Sequence, residues 1–231
     1  MERRLVPELM DDPQLDEASH LAALRGLRRV NAISGVSAMI WGAIKRIAAR
    51  RRLTHFSVLD VACGGGDLIT SLSRRARGSG LDVDCYGCDV SPTAVAHSNR
   101  NAGEGAKLSF FVADAISEPL PGRYDFVTST LFLHHLDQPA SLRLLGHLSE
   151  AAQQAVLLDD LERSRTGWLL AWAGCRLLSR SPIVHYDGPA SVRGAYTVEE
   201  AQTLAETAGL ASTRWTRHWP CRYLMEWERT L

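Results

Sequence analysis

The 231-residue sequence sets 26 Lys+Arg against 26 Asp+Glu and is 45% hydrophobic, 23% charged, with five cysteines. These proportions exclude a disordered or fibrous chain, and the length buries enough apolar surface to fold without disulfides or metals. The zero formal charge argues against a partner gripped mainly through phosphates, so no nucleic-acid partner is expected, although a local basic patch stays open.

The first residues, MERRLVPELMDDP, hold no apolar run that could serve as a signal-peptide core. Nowhere do 18 consecutive apolar residues occur, so no membrane span is expected. Five scattered cysteines suit free thiols in a reducing compartment, and a cytoplasmic location is the expectation. Lys45 and Lys107 are the only lysines, leaving 24 of the 26 cations as arginine, a bias read as genomic composition rather than chemistry.

From Leu21 to Arg52 apolar residues recur at three- and four-residue steps through Leu24, Leu27, Ile33, Val36, Ile40, Ile44 and Ile47. That is helical periodicity, with a break expected near Ser34-Gly35. Residues 1–52 therefore read as an N-terminal helical cap, and 53–231 as a core.

The period then changes. Phe56–Ala62 is a short apolar strand followed by Cys63-Gly64-Gly65-Gly66-Asp67 and a helix to about Arg77. A second strand spans Leu81–Cys88 and ends at Asp89; Ser91-Pro92 opens a helix, Ser as cap and Pro in the first turn. Strands follow at Leu108–Val112, Tyr124–Thr130 and Ala155–Leu161, with a helix over about 141–152. This alternation means right-handed βαβ units and a parallel sheet, hence an α/β, Rossmann-like fold. Residues 162–196 read as a helical and loop insertion. Thr197-Val198-Glu199-Glu200 is a capping box opening a helix that Gly209 ends. Two strand-like runs, Ser212–Trp219 and Arg222–Trp227, are joined only by Pro220-Cys221, which fits an antiparallel hairpin.

The glycine loop after strand one lets the backbone turn sharply and approach a ligand beside a helix N-terminus. Asp89, 23 residues beyond Gly66, is placed to accept hydrogen bonds from ribose hydroxyls, and Asp114 adds a third carboxylate on the same sheet edge. A nicotinamide-binding domain is the competing reading. Its G-x-G-x-x-G spacing would put Ile69 where a small residue is needed, and a pyrophosphate gains nothing from Asp60 nearby. An acidic residue before the loop suits a ligand with amino and sulfonium cations and no phosphate, namely S-adenosylmethionine.

FSVLDVACGGGD, YGCDVS, FVADA and YDFVTSTLFLHHLDQP, spanning 56–139, resemble the four consecutive cofactor motifs of class I S-adenosylmethionine-dependent methyltransferases. The resemblance implies a seven-stranded mixed sheet whose strand 7 is antiparallel. It also implies roles by position. Asp60 would orient the loop or bind the methionine amino group, Gly64 would pass close to the cofactor, and Asp89, followed by Val90, would hold the ribose. Asp114 and Ala115 would meet the adenine, and Thr130 would lie beside the methionine moiety. Ala62 stands where many members have glycine, a mild departure. Within the superfamily, Asn31–Gly35 with Trp41, together with His134-His135-Leu136, is similar to the ubiquinone/menaquinone-type enzymes, which act on aromatic, quinone-like acceptors.

On the acceptor side, methyl transfer requires positioning and the removal of one proton. A phenol with a pKa of about 10 is helped by a base, and histidine suits neutral pH. His134 and His135 are the candidate catalytic residues; the alternative is that one packs under the cofactor while the other bonds locally. His185 follows as a further candidate. Arg193 could pin an acidic or carbonyl group or pair with Asp187, Tyr196 could stack on a ring, and Trp41 of the helical cap joins His185, Arg193 and Tyr196 as an expected substrate residue. Trp168–Cys175 would line a pocket for a hydrophobic acceptor or simply pack in the core, any membrane contact being peripheral. No metal site is expected; Cys85-x-x-Cys88 is a lone pair whose side chains face opposite ways along a strand.

The expected function is methylation of a small aromatic, quinone-like or polyketide molecule, with S-adenosylhomocysteine as by-product. Transfer to oxygen comes first, transfer to an electron-rich ring carbon second, and a non-catalytic cofactor-binding relative third. The oligomeric state is left open.

Overall fold

A computed structural model describes residues 1–11, 15, 16, 22, 23, 26, 29, 34–102 and 107–230. Seven strands form one sheet: β1 (His55–Val61), β2 (Asp82–Asp89), β3 (Leu108–Val112), β4 (Tyr124–Thr130), β5 (Ala152–Leu161), β6 (Arg214–His218) and β7 (Arg222–Glu228). Their order is 3-2-1-4-5-7-6. β7 alone is inserted antiparallel to β5, and it pairs antiparallel with β6 as the short Pro220-Cys221 link required. Among the described residues seven α-helices accompany the sheet: α1 (Val36–Arg51), α2 (Asp67–Gly78), α3 (Pro92–Asn101), α4 (Gln138–Ala151), α5 (Arg165–Leu178), α6 (Pro182–Gly194) and α7 (Val198–Thr207).

Parallel strands covered on both faces must be apolar on both, and the central strands are. Phe56, Val58, Phe126, Leu157 and Leu224 face α1 and α2, while Leu59, Val61, Val127, Val156, Leu158 and Tyr223 face α4 and α7. Cys85 and Cys88 fall in the two different layers, so the CxxC spacing cannot converge.

Local signals behave as their chemistry demands. The Ser91 hydroxyl caps α3 by accepting from the Ala94 amide at 3.2 Å. Thr197 and Glu200 make both halves of the capping box on α7. Gly35, at φ 66°, precedes α1, so the break near Ser34-Gly35 is present; Leu21, Leu24, Leu27, Asn31, Ala32 and Ile33 lie outside the described residues.

The insertion differs from expectation. Residues 182–194, within the stretch expected to mix helix and loop, form one helix, α6, that runs through Pro189. A proline inside a helix costs about 3 kcal/mol, and the offset is packing: Val184, Asp187, Pro189 and Val192 are all buried.

Candidate active site

The strand order reverses between β1 and β4, and ligands of open α/β sheets bind outside the strand C-termini at such a point. The sequence-predicted cofactor residues gather there. Asp60, on the last turn of β1, is 1% exposed, and the Thr128 hydroxyl donates to it at 2.9 Å from the adjacent strand. Burial pushes its carboxyl up to about 7, helped by the nearby Asp89 charge and opposed by the Thr128 bond. Among the described residues no cation pairs with it.

Beyond Asp60 the loop is built by three positive-φ residues: Ala62 at 56°, Gly64 at 51° and Gly66 at 73°. Gly66 must be glycine twice over, because a Cβ there would sit 2.6 Å from the Phe110 ring. At Gly64 and Gly65, by contrast, a Cβ would meet nothing within 4 Å, so the loop opens onto free space. Asp89 braces this loop: one carboxylate oxygen accepts from the Gly64 amide at 2.8 Å and the other from the Ser91 amide at 2.9 Å. Val90 beside it is 65% exposed. Asp114 is exposed, and the Ser117 side chain, with the Ile116 and Ser117 amides that donate to it, holds its carboxyl below the usual range. Ala115 is buried and its carbonyl is bonded by His147 at 2.9 Å.

An open cradle at Gly64-Gly65, a buried carboxyl without a cation and a second carboxylate bonded to the loop fit a cationic, ribose-bearing ligand. They do not fit a phosphate, which both acids would repel. The nearby Cys63 thiol is pushed up first by burial and then by Asp60 and Asp89, so it is no nucleophile.

The acceptor side is organised by a cluster that the sequence shows only in part. After β4 the chain passes through Leu131 at φ 55° into a short 3₁₀ turn, Leu133–His135. His134, 5% exposed, donates from Nδ1 to Asp160 at 2.6 Å, and its backbone amide donates to the other Asp160 oxygen at 3.1 Å. Burial works against the imidazolium, but the Asp160 and Glu8 carboxylates outweigh it and raise the pKa to about 9. His134 is therefore a cation at neutral pH. Glu8 reaches it from the N-terminal arm, its carboxylate 3.8 Å from His134 Nε2 and 4.0 Å from His135 Nδ1. The two imidazoles stack at 4.2 Å, and the His135 side chain is 27% exposed.

Glu8, His134 and His135 bring three potential metal-ligating atoms within 4.8 Å of one another, a grouping not foreseen from the sequence. A cation there would have to displace the His134 proton.

The arm that carries Glu8 is stitched down along its length. The buried Asp187 carboxylate accepts from the Leu9 and Met10 amides at 2.8 and 3.1 Å. Arg3 donates to the Gly194 and Leu136 carbonyls at 2.7 Å each, and Ser191 donates to Glu8.

These contacts displace several expected substrate residues. Tyr196 is buried, with its hydroxyl bonded to Ser141 and the Leu136 carbonyl; the Arg3 guanidinium lies 3.6 Å from its ring centre, taking the face an acceptor would need. Trp41 is 4% exposed inside the α1–sheet core. His185 bonds the Ser179 carbonyl at 2.8 Å, fastening α6 to the preceding turn. Arg193 is exposed and lies over Trp168 at 5.2 Å rather than on Asp187, whose carboxylate the arm amides take. Trp168, Gly167 and Cys175 turn inward on α5, whereas Leu169, Trp172 and Leu177 face outward.

Comparison with known proteins agrees with this geometry. Residues 58–154 match the methyltransferase-domain family. The ubiquinone biosynthesis O-methyltransferase of Pseudomonas aeruginosa (strain UCBPP-PA14) is 28% identical over 180 residues, 75% of each chain. That of Azotobacter vinelandii is 29% identical over 174 residues, 73% of each. Among solved structures, the magnesium protoporphyrin IX methyltransferase of Synechocystis superposes with a TM-score of 0.59 at 19% identity, covering 95% of this chain and 90% of that one. These matches, together with the fold, support a class I S-adenosylmethionine-dependent methyltransferase similar to enzymes of the ubiquinone-biosynthesis O-methyltransferase type. No described helix is long and apolar enough to cross a membrane.

Proposed function

We propose that the protein methylates a hydroxyl oxygen of an aromatic, quinone-like or polyketide small molecule. The observation that carries this reading is the Glu8–His134–His135–Asp160 cluster at the end of β4, on the sheet edge that holds Asp60 and Thr130. The O-methyltransferase names of the curated relatives support it.

Bound at the glycine loop, S-adenosylmethionine would supply an electrophilic methyl carbon on a sulfonium, open to in-line displacement. Asp60 would take the cationic amino group or, through Thr128, hold the loop; Asp89 and the exposed Val90 would hold the ribose; Asp114 and Ala115 would meet the adenine; Thr130 would lie beside the methionine chain. Oxygen attack forms one C–O bond as the C–S bond breaks, and the hydroxyl proton must leave. His134 already carries both ring protons, Nδ1–H facing Asp160 and Nε2–H facing Glu8, so it positions the cluster rather than accepting the acceptor's proton. His135, partly exposed and beside it, receives the acceptor's proton, and the Glu8 carboxylate at 4.0 Å offsets the repulsion of the neighbouring His134 cation.

Product formation should be followed with catechol, resorcinol and quinol acceptors by mass spectrometry. His135→Ala should lower kcat by about 10²–10⁴-fold, the usual worth of general-base catalysis. It should leave S-adenosylhomocysteine affinity in place. Full activity in His135→Ala across neutral pH overturns the proton-acceptor role. A carbon-methylated product by NMR overturns oxygen as the site of transfer.

A further inference from the structure

Building on the proposed transfer to an aromatic hydroxyl, we propose that Trp219, in the turn between β6 and β7, is the wall of the acceptor site that selects fused-ring over single-ring acceptors, and that His218 is the positioning residue that holds it there. β7 runs antiparallel to β5, and β6 antiparallel to β7, so this turn returns to the sheet edge where the parallel strands end. There Thr130 pairs with Asp159, Leu161 with Arg222, and Arg222 with His218. With the strands in the order 4-5-7-6 and about 4.8 Å apart, the turn stands about 14 Å across from Thr130. One ring with its hydroxyl at the methyl donor falls short of that span. Two or three fused rings, with the reach of an indole added, cover it.

The turn is held more firmly than a surface link requires. His218 Nε2 meets an Asp159 carboxylate oxygen at 2.5 Å and Nδ1 meets the Trp219 carbonyl at 2.9 Å, so one imidazole ties the Trp219 backbone to β5. Arg222 Nε donates to the other Asp159 oxygen at 2.7 Å. The Asp159 carbonyl accepts from the Leu131 amide at 2.9 Å, at the start of the segment that carries His134 and His135. From the other side, the Glu162 amide donates to the Cys221 carbonyl at 2.9 Å. Asp159 and Arg222 are 0% and 2% exposed; a buried ion pair adds little stability over apolar packing, so what this one supplies is position. The Trp219 side chain is the opposite case. It is 60% exposed, and among the described residues neither a ring nor a guanidinium stacks on it. Tight turns select Gly, Asn, Asp, Pro and Ser for their backbone preferences, which gives an indole at this position no local purpose. A clamped backbone that presents an open indole on the rim of the candidate site is a preorganised stacking surface.

The test compares catechol with 2,3-dihydroxynaphthalene on the full chain, by initial rates with S-adenosylmethionine and by calorimetry with S-adenosylhomocysteine bound. The wild type should favour the naphthalenediol both in kcat/KM and in affinity. Trp219→Ala should lower that preference about tenfold, through KM rather than kcat, while Trp219→Phe keeps most of it. His218→Ala should lower the preference too, but no further once Trp219 is already alanine, a coupling that a merely structural role for His218 would not produce. A preference unchanged by Trp219→Ala, or a wild type that does not bind the naphthalenediol, overturns the proposal. Fully additive losses from the two substitutions overturn the positioning role of His218. A naphthalenediol that binds through Trp219 yet gains no methyl overturns oxygen transfer and leaves the wall in place; one that is methylated with a KM blind to Trp219 does the reverse.

Discussion

Asp60→Asn is the substitution that most directly probes the cofactor edge. The wild-type carboxyl is buried, with the Thr128 hydroxyl as its only side-chain hydrogen-bond partner among the described residues, and its pKa stands near 7 against an ordinary 3.8. A folded-state pKa raised above the unfolded one favours the protonated, folded form, so the stabilisation is complete below about pH 4 and is lost as pH rises through about 7. Three pKa units correspond to about 4 kcal/mol, which for a domain of this size is about 8 °C in Tm. Asparagine cannot ionise. The ligand-free variant should therefore lose that slope and melt above the wild type near pH 8. Binding carries the opposite sign. A cationic ligand group needs the carboxylate, so S-adenosylhomocysteine affinity of the wild type should rise by up to about tenfold per pH unit below 7 and level off above it. Thermal unfolding across this pH range, with calorimetric titration near pH 6 and pH 8, reads both effects. A wild-type Kd that is flat between those pH values, or a variant that keeps both slope and affinity, would refute the reasoning.

Asp89→Ala removes the acceptor of the Gly64 and Ser91 amides as well as the group beside the ribose, and should weaken S-adenosylhomocysteine binding by about 2–4 kcal/mol in calorimetry; equal affinity would sink the assignment. Gly66→Ala forces a Cβ against Phe110 at a positive φ and should cost about 1–3 kcal/mol in urea unfolding, part of it regained when Phe110 is shortened to Leu. His134→Ala leaves the buried Asp160 without its cation and should destabilise by about 3–5 kcal/mol near pH 7. In the wild type that contribution is complete below about pH 6.5 and fades as pH rises through about 9, so an alkaline titration of stability that is the same in both proteins would count against the pair. Because the His134 ring already holds a proton between two carboxylates, dialysis against a chelator should leave turnover unchanged; a loss restored by a divalent ion would reassign Glu8 and the two histidines.

The strand-end geometry was legible because its signals are local. Asp60, Gly64, Asp89 and Asp114 sit at strand ends that apolar runs announce, and β3 and β4 occupy the expected residues. The capping box on α7 is equally local. The acceptor side was less legible because its contacts join distant residues. Glu8 meets His134, and Asp187 meets Leu9, across more than a hundred residues of chain, and no spacing rule links them. Asp160 left one usable trace: two consecutive acids ending a buried strand must find partners, and Asp159 finds Arg222 and the His218 ring while Asp160 finds His134. The helical path through Pro189 was hidden because propensity opposes it and only packing explains it.

The N-terminal arm also bears on the order in which the molecule can be completed. Arg3, Glu8, Leu9 and Met10 leave the ribosome long before Asp187, Ser191 and Gly194 exist, the separations being 191 residues for Arg3–Gly194 and 183 for Ser191–Glu8. The parallel strands β1 to β4 can pair while the arm has nothing to bind. The strand ends that carry Asp60 and Asp89 are thus assembled early and the Glu8 contact last, after α6 has formed. During synthesis the nascent enzyme would have its cofactor edge before it has the carboxylate that faces His135.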